Sequence, residues 1–315
     1  MKKSLLNMSY NELDILLDSL LDSENLPKTI SYKDDTINYY RYSRPRLILK
    51  ALFRIIEIEF FYHSNIKKRV SHFKNMDLSD SLKELIFTLK LILPDLLRRV
   101  GGTFDIKIFA NYMISAILYD ASCDIPKFRR YLTDFDAAIM SNKPIESKDE
   151  YLVLFNESTN YIKKNVDNDI FDTFTTYMQI EHISQIMSMY QQSDKPMSKE
   201  SLLKVTLAKG GIAILACSYI MSPRMNQKEK NAMYEIGGIL QIFEDLYDLE
   251  EDLKIGIQTL PNQKLIDYNE LEQLYNGTVN NLINTFKINP YHPNPALDIL
   301  SHLIQARFTG NIRKI

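Results

Sequence analysis

The stretch from Ile236 to Pro261, IGGILQIFEDLYDLEEDLKIGIQTLP, sets the strongest constraint on how this chain can fold. Ile239, Leu240, Ile242, Phe243, Leu246, Leu249 and Leu253 recur at helical spacing, which predicts one helix over most of it. At about 100° per residue, Glu244, Asp248, Glu251 and Asp252 fall within an arc of roughly 100°, with Asp245 at one edge. Like charges one turn apart destabilise an isolated helix by about 0.2–0.5 kcal/mol per pair. A carboxylate stripe therefore needs a cation, a basic partner or full solvation. Its apolar flanks and tight i, i+4, i+8 spacing argue against a merely solvated face.

The chain's 315 residues, 45% of them hydrophobic, can fill one sizeable core, and nothing in the pattern calls for a second domain. With a formal net charge of −2, nucleic acid is not an expected partner. Cys123 and Cys217 offer neither metal-ligand spacing nor a disulfide framework, so a reducing, cytoplasmic setting is expected. Acids interrupt the N-terminal segment MKKSLLNMSYNELDILLDSLLDSE where a signal peptide would be apolar. The apolar run Val205 to Met221 carries Lys209 and falls short of the ~20 residues a membrane span needs, so it reads as a buried helix.

Only 9 Gly and 11 Pro punctuate the chain, and strict apolar/polar alternation is scarce. The expected fold is all-α, a single-domain helical bundle over residues 1–315 with no internal repeat. Helices are expected over 9–25, from Pro45 toward Asn65, from Ser81 to before Pro94, and over 105–141 with a break after Asp124 imposed by Pro126. Ser147 and Glu150 have capping-box spacing ahead of a helix over 148–166. Further helices are expected over 168–192, 198–221, 227–254, 268–287 and 295–312.

A second acidic pair ends the apolar run NYMISAILYDASCDIPKFRRYL. Asp120 and Asp124 lie one turn apart, so both carboxylates point the same way. Arg129 and Arg130 follow beyond the proline, able to neutralise the pair or hold an anion. Two such clusters suggest Mg²⁺, a hard cation shared between a few carboxylates and substrate phosphates. No His and Cys set sits at zinc-ligand spacing near either cluster, and the Glu-x-x-His motifs of a ferritin-like di-iron site are absent.

At these residues the chain resembles the class I isoprenoid synthase superfamily, and within it most closely the bacterial large-terpene synthases of the tetraprenyl-β-curcumene synthase family. LYDASCD is similar to that family's aspartate-rich run, with Asp120 and Asp124 as the matching acids. FRRYLTDFDAAI, DEYLVLF and KGGIAILA are similar to its intervening segments, and LQIFEDLYDLEEDLKIG to its second acidic motif. The similarity spans roughly residues 105–260. Three positions depart from the family: Glu244 where Asp is usual, Ile257 where an acid follows the glycine, and Glu181 where a lysine commonly precedes His182. The chain also partly resembles trans-prenyl diphosphate synthases, through the spacing of Asp120, Asp124, Arg129 and Arg130, through Lys209, and loosely through Arg41-Tyr42-Ser43-Arg44-Pro45. Ala121 and Met113 depart from that pattern.

The resemblance implies a helical bundle around a central apolar cavity, more than one Mg²⁺ ion and a prenyl diphosphate substrate. It implies metal binding by Asp120, Asp124, Glu244, Asp245, Asp248 and Asp252, with Asp120, Asp124 and Asp248 catalytic. Arg129, Arg130 and Lys209 would contact the diphosphate, although Lys209 also reads as a residue snorkelling at a helix edge. A carbocation must be kept from water, which makes Phe109, Tyr112, Tyr119, Phe174, Tyr177 and Phe243 candidates for the pocket wall, with Ser115 and Ala116 leaving depth. His182 reads as a satisfied bundle histidine. Three functions follow from different classes: a terpene synthase that ionises one diphosphate, a prenyltransferase that also takes isopentenyl diphosphate, and a catalytically silent partner subunit. An apolar substrate suggests loose association with membrane lipid, and a homodimer is compatible with the pattern.

Overall fold

A computed structural model describes residues 4–30, 49, 53, 56–70, 89, 90, 93, 94, 96–193 and 195–288. Among them there are helices and turns but no strands, so the expected all-α class is met. The helix expected over 295–312 and the stretch Arg41 to Pro45 lie outside the described residues, as does the start of the helix expected from Ser81. Of the latter, 89, 90, 93 and 94 are helical and so are 96–99, beyond Pro94, a correction to its expected end. Of the helix expected from Pro45, 49, 53 and 56–65 are helical.

Nine helices carry the argument: α1 (Tyr10–Ser23), α2 (Ile106–Asp124), α3 (Leu132–Ser141), α4 (Glu150–Asn165), α5 (Asn168–Ser188), α6 (Lys199–Met221), α7 (Gln227–Tyr247), α8 (Leu249–Ile255) and α9 (Tyr268–Thr285). Their starts follow local chemistry. Ser9 and Glu12 close a capping box on α1, and Asn226 and Glu229 close one on α7. Asp105 accepts from the N–H groups of Lys107 and Ile108 at the start of α2. The capping box expected from Ser147 and Glu150 does not form. Asp149 is the N-cap, accepting from Tyr151 N, while Ser147 Oγ accepts from Asp149 N, so α4 starts two residues later than expected.

Pro126 ends α2 as anticipated, with Ile125 extended at φ −95°, ψ 116°, as a residue before proline prefers. One expectation needs correction at the other acidic stretch. The single helix read over 227–254 is two, bent at Asp248. The i→i−4 ladder runs up to Asp248 N, which donates to Glu244 O (3.0 Å), and resumes at Asp252 N, which donates to Asp248 O (2.8 Å), with no such bond from Leu249 N or Glu250 N between them.

The two helices buried on nearly every side, α5 and α6, form the centre of the bundle. α6 packs most extensively against α7 and then α5, α2 packs on α4, and α1 lies on α5. Leu13, Leu17 and Leu21 of α1, all fully buried at i, i+4, i+8, show how an outer helix contributes one stripe. By length and composition α6 could cross a membrane, but most of it is buried among its neighbours.

Candidate functional site

The site begins where α6 and α7 cross. Four glycines meet there in two pairs, Gly210-Gly211 and Gly237-Gly238. A Cβ on Gly237 would lie 2.4 Å from Gly210 O, and one on Gly210 would lie 2.5 Å from both Gly237 O and Gln241 Cβ. Only glycine permits this backbone approach. Its consequence is register. Lys209 precedes the crossing on α6, and the acidic end of α7 follows it one to two turns on. Gln241, seated over Gly210, donates to Glu244 Oε2 (2.8 Å) and more distantly to Asp245 Oδ1 (3.4 Å).

Beyond Gln241 the carboxylates crowd. Burial pushes the Asp245 carboxyl up to about 8, with Asp252 and Glu244 adding to the rise while Lys209 and the Gln241 bond oppose it. Asp245 Oδ2 is buried without a hydrogen-bond partner. Burial also lifts Asp252 to about 7, reinforced by Asp248, Glu251 and Glu244 and opposed by Lys209.

A second group of acids reaches Lys209 from α2 and α5. Asp120, half-buried near the end of α2, accepts from Gln185 Nε2 at 2.7 Å. One turn before Gln185 stands Glu181, buried, with Oε2 unpartnered. Burial raises its carboxyl to about 8, Asp120 pushes it further up, and Lys209 pulls it down. Glu181, Asp245 and Asp252 therefore all feel the one ammonium of Lys209. Glu181 and Gln185 were not assigned to the site from the sequence. Their i, i+4 spacing on α5 was the available signal, but two polar residues inside an apolar helix do not reveal which neighbour they face.

Other assigned residues are engaged elsewhere. Asp124 is the last residue of α2. Arg129 stays near it, its Nε donating to Cys123 O at 3.3 Å. Arg130 is exposed and turns to Tyr131, whose hydroxyl it meets and whose ring it covers, with Asp149 at 3.9 Å. This places Arg130 beside Asp149, the N-cap of α4. Tyr119, expected in the pocket wall, has its hydroxyl 2.6 Å from His182 Nδ1 and its ring edge-on to Phe135. Phe243 packs edge-on against Tyr275 of α9. Tyr112 donates to Ala213 O and meets Phe174 edge-on, and Tyr177 meets Tyr219. His182 is satisfied as expected.

The donor chemistry fits a hard cation. Near Lys209 the ligating atoms are carboxylate oxygens, and the orphaned oxygens of Asp245 and Glu181 mark an excess of acceptor over donor. Among the described residues, however, no three of His, Cys, Asp and Glu close into a ready cage. A cation here would take single carboxylates from separate helices and complete its shell with water or phosphate oxygen, the habit of Mg²⁺.

No protein-family model matches the chain, and no curated protein matches it either. Among solved structures it is similar to a geranyltransferase from Legionella pneumophila, at 13% identity and a TM-score of 0.49, over 83% of this chain and 99% of that one. At that level the likeness carries no argument about activity.

Proposed function

We propose that this protein is a Mg²⁺-dependent class I terpene synthase that ionises a linear prenyl diphosphate and cyclises or quenches the resulting carbocation. The observation that carries the reading is that the charge of Lys209 acts on Glu181 of α5 and on Asp245 and Asp252 of α7 and α8 alike, while Gln185, one turn from Glu181, holds Asp120. Surplus carboxylates around one ammonium suit a ligand that brings both metal cations and phosphate oxygens. Mg²⁺, when bound, would draw charge from the departing diphosphate oxygens.

The chain's own residues have distinct tasks in this reading. Asp120, with Asp124 beyond it on α2, and Glu244, Asp245, Asp248 and Asp252 on α7–α8 hold cations. Gln185 and Gln241 orient Asp120 and Glu244. Lys209 meets the diphosphate, and Arg129 stands at the rim. Across the bend at Asp248, Asp252 stays in the field of Asp248 and Glu244. The apolar surroundings of α5 and α6 exclude water from the cation.

The test is incubation of the purified chain with Mg²⁺ and a ladder of prenyl diphosphates, with and without isopentenyl diphosphate, followed by product analysis. A hydrocarbon or alcohol from one diphosphate is expected, falling by roughly 100-fold or more in Asp120→Ala and Asp248→Ala. The second reading, a prenyltransferase, is favoured by Arg129 standing at the end of α2. It gains if products form only with isopentenyl diphosphate present. Silence on all substrates, without diphosphate release, overturns both and leaves the partner-subunit reading.

A further inference from the structure

Apart from the acidic residues, α3, α4 and the N-terminal half of α5 enclose a cleft of about 620 Å³, counting the part open to solvent. Ile139, Phe155, Phe171, Phe174 and Met178, all buried, form its apolar floor. Lys143 and Lys163 are exposed on its rim, and every other lining residue is uncharged. Neither lysine is in an ion pair among the described residues. Lys163 Nζ stands 5.3 Å from the centroid of the Phe171 ring, so one cation already lies across the floor.

The turn that carries Lys143 is fixed. Asn142 ends α3 in the left-handed region at φ 52°, and Lys143 N donates to Ala138 O. Asn156 of α4 then holds the turn from the other side, accepting from Ile145 N (3.1 Å) and donating to Ile145 O (2.6 Å). A solvent-open apolar trough with two cations and no acid excludes cationic ligands and gives a bare inorganic anion nothing to use the floor for.

We propose that this cleft binds a single-chain amphiphile with an anionic head, carboxylate or phosphate, its chain along the aromatic floor and its head met by Lys143 and Lys163. The cleft uses none of the residues assigned above to the cations or the diphosphate, although Phe174, expected from the sequence in the wall of that pocket, lines its floor.

The test is calorimetric titration of the full chain, in EDTA, with dodecyl phosphate and with dodecanoate, each below its critical micelle concentration. Saturable one-to-one binding is expected for at least one, and the tighter of the two identifies the head. In the double reversal Lys143→Glu, Lys163→Glu the affinity is expected to fall by roughly tenfold. Lys209→Ala is expected to leave it unchanged, which separates this cleft from the acidic site. Equal binding by dodecanol or inorganic phosphate overturns the proposal. So does binding that survives the double reversal, disappears with Lys209→Ala, or begins only with micelles.

Discussion

Two buried polar systems share the centre of this bundle and could hardly be finished more differently. In one, Tyr119, His182, Asp136 and the N-terminal turn close a complete chain. Tyr119 Oη meets His182 Nδ1, and His182 Nε2 donates to Asp136 Oδ1 at 2.9 Å. Asp136 Oδ2 accepts from Ser4 Oγ, and Oδ1 accepts weakly from Leu5 N. Burial alone would raise the Asp136 carboxyl, but the bonds and charge of His182 with those of Ser4 and Leu5 hold it below its ordinary value. In the other, Glu181 and Asp245 each keep a buried oxygen without a partner and both are pushed up to about 8. His182 and Glu181 are adjacent on one helix, so burial does not explain the contrast. A satisfied network specifies structure. An unsatisfied one, its acids pushed toward protonation by burial, is a cost to the fold, and such perturbed groups cluster at functional sites.

The largest expected effect strikes the satisfied system. His182→Ala leaves Asp136 buried without its main donor, and such a loss destabilises by about 3–5 kcal/mol in guanidinium unfolding. A loss under about 1 kcal/mol would erase the distinction between the two systems. Next comes the crossing that assembles the unsatisfied system. Gly237→Ala places a methyl 2.4 Å from Gly210 O, where backbone must move, and is expected to cost about 1–3 kcal/mol. Because the helices separate at that point, the same variant should also lose turnover, by more than its stability loss explains when assayed well below its unfolding midpoint. Full activity would mean that the Lys209 register does not depend on this contact.

The helical class, the break after Asp124 and the extent of α5, α6 and α9 were legible because they depend on periodicity and breakers that act locally. The KGG and IGG pairs were visible too, but not that they pack against each other. The bend at Asp248 was hidden, since the acids around it keep helical spacing on either side and neither Gly nor Pro marks the break. At the site, the acids of both clusters could be listed from the sequence, whereas Glu181 could be seen only as a departure from a family pattern. Its importance comes from Asp120 and Lys209, which lie 61 residues before it and 28 residues after it. Arg130 meets its own neighbour Tyr131, whereas Tyr119 meets His182, 63 residues on, a partner its place in the sequence does not announce.

A smaller effect separates the two systems by pH. The carboxyls of Glu181, Asp245 and Asp252 titrate higher in the folded chain, at about 8, 8 and 7, than their ordinary values of 4.5, 3.8 and 3.8. Between about pH 4 and 8 the folded state therefore holds protons that the unfolded state has released. Their contribution to stability is fully present below about pH 4 and is lost as pH rises toward 8. Asp136 has the opposite sign. Its folded carboxyl lies below 3.8, so its contribution is present at neutral pH and fades only as pH falls below that value. The windows do not overlap, which lets one titration address each system. Denaturant midpoints of the native chain should decline between pH 5 and 9, and those of Glu181→Gln, Asp245→Asn should decline less, with the variant the more stable protein at pH 9. Parallel profiles would show that these two acids find partners in solution and that the bundle holds no unsatisfied site at all.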